Sequence, residues 1–377
     1  MHELAAGIVG LPNAGKSTLF NSLVHGTAAV APYPFCTIEP NVGVVPIPDP
    51  RLLALAKLVQ PEKVTPATVR FIDIAGLVKN ASRGEGLGNQ FLAHIREVEA
   101  IVHVIRGFAS GEVAHVYATL DPVRDAEIVE TELLLADLET VRRREEKLER
   151  QAKSRDPKVL QEKEWTERLV AHLSAGRPAR TFPLETELEQ EWLRGLFLLS
   201  AKPMIYVFNL SEGEWIQLSQ GSEVSPLYRD FCRWVEARPD RIPVVPVAAA
   251  LEETLSGFSP EEARQLREAM GLPSERSSGL ERLLQAVLTA LDLITFYTVK
   301  GVETRAWLVR RGTKAPQAAG EIHSDMERGF IRAEVVTVDE LLHAGGFAAA
   351  RERGLVRSEG RDYQVRDGDV ILFRFAA

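Results

Sequence analysis

The stretch GIVGLPNAGKSTLFNSLV restricts this chain more than any other. Gly10-x-x-x-x-Gly15-Lys16-Ser17 follows an apolar run ending in Ile8 and Val9. Leu19, Phe20, Leu23 and Val24 come after it at helical spacing. Strand, glycine loop and helix in that order predict a phosphate-binding loop. Backbone N–H groups and the helix N-terminus then form an anion cradle, here from Asn13, Ala14, Gly15, Lys16, Ser17 and Thr18. Lys16 is expected to reach the β- and γ-phosphates, and Ser17 to ligate Mg2+.

A phosphate loop alone does not separate a kinase from a hydrolase. Downstream, VRFIDIAGL places Asp73-x-x-Gly76 at the end of a second apolar run. Asp73 suits the Mg2+ shell through water, and the Gly76 N–H suits sensing of the γ-phosphate. Between the two motifs, PFCTIEPN offers Thr37 to the same metal. The three motifs in this order describe a switch-type nucleotide hydrolase. Leu77 follows Gly76, where many such switches carry a water-orienting Gln. Leu cannot orient water by hydrogen bonding, so either another group does so or intrinsic hydrolysis is slow. His115 is one candidate for that role, with an ordinary surface or core histidine as the alternative. Asn13 either helps hold a monovalent cation such as K+ near the phosphates or only shapes the loop. The catalytic candidates are therefore Lys16, Thr37, Gly76 and His115, and the metal candidates Ser17, Thr37 and Asp73.

The runs AAGIVGL, VRFIDI, AIVHVI, PMIYVFN and IPVVPV alternate with helical patterns. That rhythm predicts a mostly parallel α/β sheet with ligand at the carboxyl ends of its strands. Asn209 sits at one such end, in IYVFNLSEGEW. Guanine-reading switches place Lys after this Asn and an Asp two residues further on; here Leu210 and Glu212 stand there. The segment is either a base-reading motif without its guanine-specific part or the end of a buried strand. In the first case Asn209 pairs with N6 and N7 of adenine, Leu210 offers its apolar face and backbone to the ring, and Glu212 points elsewhere.

Between 123 and 199 the rhythm breaks into two charged helical runs, which read as an inserted antiparallel hairpin or coiled-coil arm. Residues 141–180 hold twelve Lys/Arg against seven Asp/Glu, in a chain of net charge −8. The cluster Arg142, Arg143, Arg144, Lys147, Arg150, Lys153 and Arg155 either meets RNA phosphates or is a solvated face with pairs such as Glu146–Arg150. From 296 to 377 short strand patterns replace the alternation, without a catalytic constellation. His323 and Asp325 in this region read as a turn or surface contact in preference to an acid–base pair. Cys36 and Cys232 fit neither a disulfide framework nor a metal site, which favours a reducing cytosol. The N-terminus reads as a strand and not a signal peptide, and no apolar stretch approaches a membrane span.

GIVGLPNAGKSTLFN, PFCTIEPNVGVVPIPDPRL, FIDIAGLVKNASRGEGLGNQFL and AAGEIHSDMERGFIRAEVV together resemble the YchF group of Obg-like P-loop ATPases, over nearly the whole chain. The resemblance implies a Ras-like nucleotide domain (1–122 and 200–293) with the helical insertion 123–199, then a β-grasp TGS domain (296–377). It also implies ATP preference over GTP, slow hydrolysis and association with the ribosome or its subunits. A cytoplasmic monomer completes this expectation.

Overall fold

The computed structural model describes residues 4–28, 41–74, 86–109, 119–222, 225–272, 278–300 and 302–376. The expectations placed on Thr37, Gly76, Leu77 and His115 lie outside the described residues. In chain order the strands are β1 (Ala5–Val9), β2 (Val42–Pro46), β3 (Lys63–Thr65), β4 (Thr68–Asp73), β5 (Ala100–Arg106) and β6 (Met204–Asn209). Then come β7 (Val244–Val247), β8 (Leu293–Lys300), β9 (Glu303–Arg310), β10 (Phe330–Thr337), β11 (Arg357–Glu359) and β12 (Asp369–Phe375).

The first sheet has the order β2-β4-β1-β5-β6-β7. Its pairs from β4 to β7 are all parallel, as the alternating pattern required. Every residue of β1, β5 and β6 is buried, which is the signature of strands covered by helices on both faces. The strand ends Val9, Asp73, Asn209 and Val247 lie at the carboxyl side, where ligands sit in open α/β sheets.

The insertion is more than a hairpin. Its first helix, Pro122–Gln151, has 30 residues and is about 45 Å long. Asp121 caps it and proline fills its first turn. The first half of this helix belongs to the sheet's core, because Ala126, Val129, Leu133 and Ala136 pack with Ile101, Ile105 and Tyr206. From Leu134 onward, through Leu138 and Val141, it also packs with the returning helix Pro157–Ser174 at Trp165, Leu169 and Leu173. A third helix, Glu187–Gly195, closes the arm. Trp192 and Phe182 both sit against Trp165, at ring distances of 5.5 and 5.9 Å. The basic cluster is partly neutralised: Arg143 meets Glu139, Arg144 meets Glu162, and Arg150 lies 3.8 Å from Glu146. Arg142, Lys147, Lys153 and Arg155 are exposed.

Compactness divides the chain into Leu4–Gly43 with Arg70–Ala286, and Val44–Val69 with Val287–Ala377. The C-terminal unit carries a mixed sheet of order β11-β10-β12-β8-β9-β3. Parallel β12–β8 is flanked by antiparallel β10–β12 and β8–β9, and helix Ala315–Ile322 packs Ala315, Ala318 and Ala319 on one face. This is the expected β-grasp arrangement. The sequence patterns did not place residues 44–69 here. Leu52 and Leu55 of helix Pro50–Val59 join Tyr297, Val336 and Leu341, and β3 adds in parallel to β9.

Asp49 holds that helix in place. Its carboxylate accepts from Arg51 N at 2.9 Å, Leu52 N at 3.3 Å and the Tyr297 hydroxyl at 2.5 Å. Asp49→Ala removes a helix cap and leaves the Tyr297 hydroxyl without its acceptor, so a loss of about 2 kcal/mol is expected. Urea unfolding of the full chain checks it, and an unchanged midpoint would show that water replaces the carboxylate. His323 and Asp325 form no catalytic pair: His323 Nδ1 accepts from Asp325 N at 3.2 Å and caps the short helix Ser324–Arg328.

Candidate nucleotide site

The phosphate loop runs from Gly10 to Gly15 between β1 and the helix Lys16–Ala28. Two glycines are required by space as well as by conformation. Gly10 has φ +152, and a Cβ there would lie 2.5 Å from the Val104 carbonyl oxygen. Gly15 has φ +95, and its Cβ would lie 2.2 Å from Asn209 Nδ2. Asn13, exposed at the turn, takes φ 63, a left-handed conformation that Asn tolerates better than most residues. Ala14 is buried, Thr18 half-buried and Ser17 exposed.

Lys16 is only 8 % exposed, and its ammonium donates to the Leu11 carbonyl at 2.9 Å. Burial lowers its pKa, and the charge of Asp73 works in the opposite direction. A lysine that has given up most of its water for one carbonyl is poised to exchange that contact for phosphate oxygens.

Ser17 and Asp73 are 56 residues apart in sequence, and the Ser17 hydroxyl donates to Asp73 Oδ2 at 3.0 Å. Asp73 Oδ1 is buried without a hydrogen-bond partner among the described residues. A hydroxyl and a carboxylate oxygen with spare acceptor capacity form an all-oxygen set, which suits a hard divalent cation. The chemistry of these residues fits Mg2+, which Ser17 and Asp73 would hold. Among the described residues no group of three or more His, Cys, Asp or Glu is arranged for a metal. A site that borrows oxygens from phosphates does not need one.

Asn209 ties the loop to the sheet. Its Nδ2 donates to the Ala14 carbonyl at 3.0 Å, and its Oδ1 accepts from Ala249 N at 3.1 Å. Each group retains one further donor or acceptor position for a base. Leu210 is 4 % exposed in the core, and its N–H donates to the Val247 carbonyl at 2.8 Å. Its side chain and N–H are therefore committed inside the protein. Glu212 is exposed in the first turn of helix Glu212–Ser219. Ser211 caps that helix, with Glu214 completing the capping box.

The segment Val247-Ala248-Ala249 was missing from the expected site. It meets both Asn209 and Leu210, and helix Ala249–Ser256 opens there without a side-chain cap. Its only sequence signal is a run of three alanines after an apolar strand.

Fold and site together define a P-loop nucleotide-binding protein with a helical insertion and a β-grasp unit. Residues 5–135 match the family described as "50S ribosome-binding GTPase", and residues 293–376 the YchF-GTPase C-terminal family, described as a protein of unknown function. The chain is 46 % identical to "Ribosome-binding ATPase YchF" of Bacillus subtilis (strain 168) over 372 residues, 99 % of each chain. It is 44 % identical to the Escherichia coli O157:H7 protein of the same name, over 98 % of each. The structure of the Schizosaccharomyces pombe YchF GTPase superposes with a TM-score of 0.88 at 34 % identity, covering 99 % of this chain and 98 % of that one. A Pyrococcus horikoshii OT3 GTP binding protein, at 20 % identity and a TM-score of 0.61, shares the fold. The chain belongs to the YchF family. No helix among the described residues is long and apolar enough to cross a membrane.

Proposed function

We propose that this chain is a Mg2+-dependent, slowly hydrolysing ATPase that works as a switch on the ribosome. The observation that carries the nucleotide choice is the strand end at Asn209. Guanine selectivity rests on a carboxylate that accepts from N1–H and the 2-amino group. Here Leu210 is withdrawn into the core, and Glu212 is an exposed helix-start residue. Asn209 keeps hydrogen-bonding capacity for the N6 and N7 edge of adenine. Ser17 and Asp73 would hold Mg2+, which would supply charge neutralisation at the phosphates, and Lys16 would meet the phosphate oxygens. Slow turnover follows from Leu77 in place of a water-orienting Gln, with Thr37, Gly76 and His115 completing the proposed machinery. Asn13 is the residue through which K+ would act.

The names of the curated relatives support the ribosome as partner and ATP as substrate. The arm's exposed cations and the β-grasp unit are the surfaces proposed to meet it, linking nucleotide state to translation or stress in the cytoplasm. Calorimetric titration with Mg-ATP and Mg-GTP tests the choice of base. ATP is expected to bind at least about tenfold tighter, the effect of one lost or mispaired hydrogen bond. Equal affinities, or a preference for GTP, would make the chain a GTPase of the same fold.

A further inference from the structure

Three arginines converge on one carboxylate in the C-terminal unit. Glu334 of β10 is 8 % exposed. It accepts from Arg351 Nη2 at 2.6 Å, from Arg374 Nε at 3.2 Å and Nη2 at 3.3 Å, and from Arg332 Nη2 at 3.3 Å. Arg332 and Arg374 are register partners across β10 and β12, and Arg351 comes from helix Phe347–Glu352. Ser358 of β11, exposed, pairs with Glu334 in register from the other side.

Among the described residues the charge of this cluster does not balance, because three guanidinium groups share a single carboxylate. The arginine side chains are 54, 56 and 47 % exposed for Arg332, Arg351 and Arg374, against 10 % for Glu334. The cations therefore face solvent, while the anion that collects them lies beneath. Arg374's hydrogen bond, ahead of those from Arg351 and Arg332, outweighs burial and holds the Glu334 carboxyl down to about 2, so it stays ionised. Each guanidinium still has N–H groups directed away from Glu334. Mutual repulsion of the three cations is relieved by a second anion arriving from outside.

We propose that Arg332, Arg351 and Arg374, gathered by Glu334, form a binding site for the phosphate backbone of RNA. The site deepens the ribosome reading above and rests on it only for the identity of the RNA. A phosphate offers several acceptor oxygens at once, and guanidinium forks match it with paired N–H groups. Three forks around one point suit such a group better than the two oxygens of a single acidic side chain. The neighbouring strand adds the Ser358 hydroxyl, a donor of the kind that meets backbone phosphates. Eleven of the twelve basic residues between 301 and 377 are arginine, although the segment is neutral overall. Its positive field is thus local to clusters such as this one.

The test uses the full chain, a fluorescein-labelled 20-nucleotide RNA of mixed sequence, and the double variant Arg332→Gln/Arg374→Gln. Anisotropy titrations across a salt series should show binding weakened roughly tenfold, and the slope of log affinity against log salt reduced by about 1.4, at ~0.7 per lost contact. Arg332→Lys/Arg374→Lys keeps the charges and should retain most of that slope. If the Gln variant binds RNA as the parent does, the proposal is overturned. The same follows if the Lys variant loses as much as the Gln variant, because the effect then comes through the fold. It is also overturned if the Gln variant loses poly-glutamate binding instead, which would mark an acidic peptide site. Co-sedimentation with ribosomes separates the two readings. Parent protein that fails to sediment, with RNA binding still lost in the Gln variant, sinks the ribosome reading and leaves this one. Parent and Gln variant that sediment equally well do the reverse.

Discussion

Lys16→Met is expected to abolish binding of Mg-nucleotide while leaving the protein as stable as before, or slightly more so. In the folded chain the Lys16 ammonium is buried, has one carbonyl partner at 2.9 Å, and is disfavoured in its charged form by desolvation. Methionine fills nearly the same volume without that cost. The Leu11 carbonyl keeps a second donor, Ala14 N at 3.3 Å, so the loop does not lose its turn. Against a triphosphate the balance reverses, because the ammonium meets several anionic oxygens at once. Charge-assisted hydrogen bonds of this kind are worth about 1.5–3 kcal/mol each, so a loss of at least ~100-fold in affinity is expected. Thermal melts with and without Mg-ATP separate the two effects. The parent's melting temperature should rise with ligand, and the variant's should not respond. A variant that still shifts with ligand, or that unfolds early without it, would show that Lys16 serves the fold and not the phosphates. Gly15→Ala should fail in binding for another reason, since its Cβ would press within 2.2 Å of Asn209 Nδ2 and force the loop and the strand end apart.

That dependence on Asn209 marks where the sequence stopped being legible. The glycine loop, its helix and the Ser17–Asp73 pair follow from local pattern, because each motif carries its own flanking strand or helix. Asn209 was visible as a strand end. Its double duty was not, because its partners are the carbonyl of Ala14 and the N–H of Ala249, main-chain groups that leave no trace in residue type. Strands β4 to β7 and β8, β9, β10 and β12 all lie on apolar runs. β3 was invisible, with three residues, an exposed lysine at its start, and a pairing to β9 from more than two hundred positions away.

The charged helix Pro122–Gln151 misled in an instructive way. Read as a charged arm, it carries Asp125, Glu130, Glu132 and Asp137, all buried. Asp137 accepts from Leu199 N and Ser200 N, each at 2.7 Å, and so fastens the chain's return from the arm. Burial pushes its carboxyl above the ordinary range, partly offset by the hydrogen bonds from Ser200 and Leu199. An acid in a helix is read as surface because burial of charge is expensive. Here distant partners meet that cost, and periodicity cannot see them.

Glu130 shows how much rests on such partners, and Glu130→Ala is expected to be the most destabilising single change in the nucleotide unit outside its apolar core. The Glu130 carboxylate accepts from the Tyr206 hydroxyl, from Arg238 Nη2 at 2.6 Å and from Arg180 Nη2 at 3.4 Å. Both arginines also reach Asp240, Arg180 Nη2 at 2.8 Å and Arg238 Nε at 3.2 Å. Two cations and two anions therefore balance in a largely buried cluster, with Arg238 stacked 4.5 Å over Trp234. Removing Glu130 leaves two largely buried guanidinium groups to share one carboxylate, and a phenol without its acceptor. Breaking a buried pair from one side costs about 3–5 kcal/mol, or roughly 10 °C in melting temperature for a domain of this size. Tyr206→Phe removes one hydrogen bond and no charge, so about 1 kcal/mol is expected. Asp240→Asn adds a test of sign. Burial opposes the Asp240 carboxylate, yet Arg238 and Arg180 outweigh it and hold its pKa below the ordinary aspartate value. Its contribution is therefore full above the unfolded aspartate pKa and fades as pH falls through the lower folded value. The gap between parent and Asp240→Asn should be constant from neutral pH to about 5 and narrow below about 4. A Glu130→Ala protein that melts within two or three degrees of the parent would mean that water solvates the arginines once the carboxylate is gone. The site would then be open enough for the base of the arm to move without breaking a closed ionic lock.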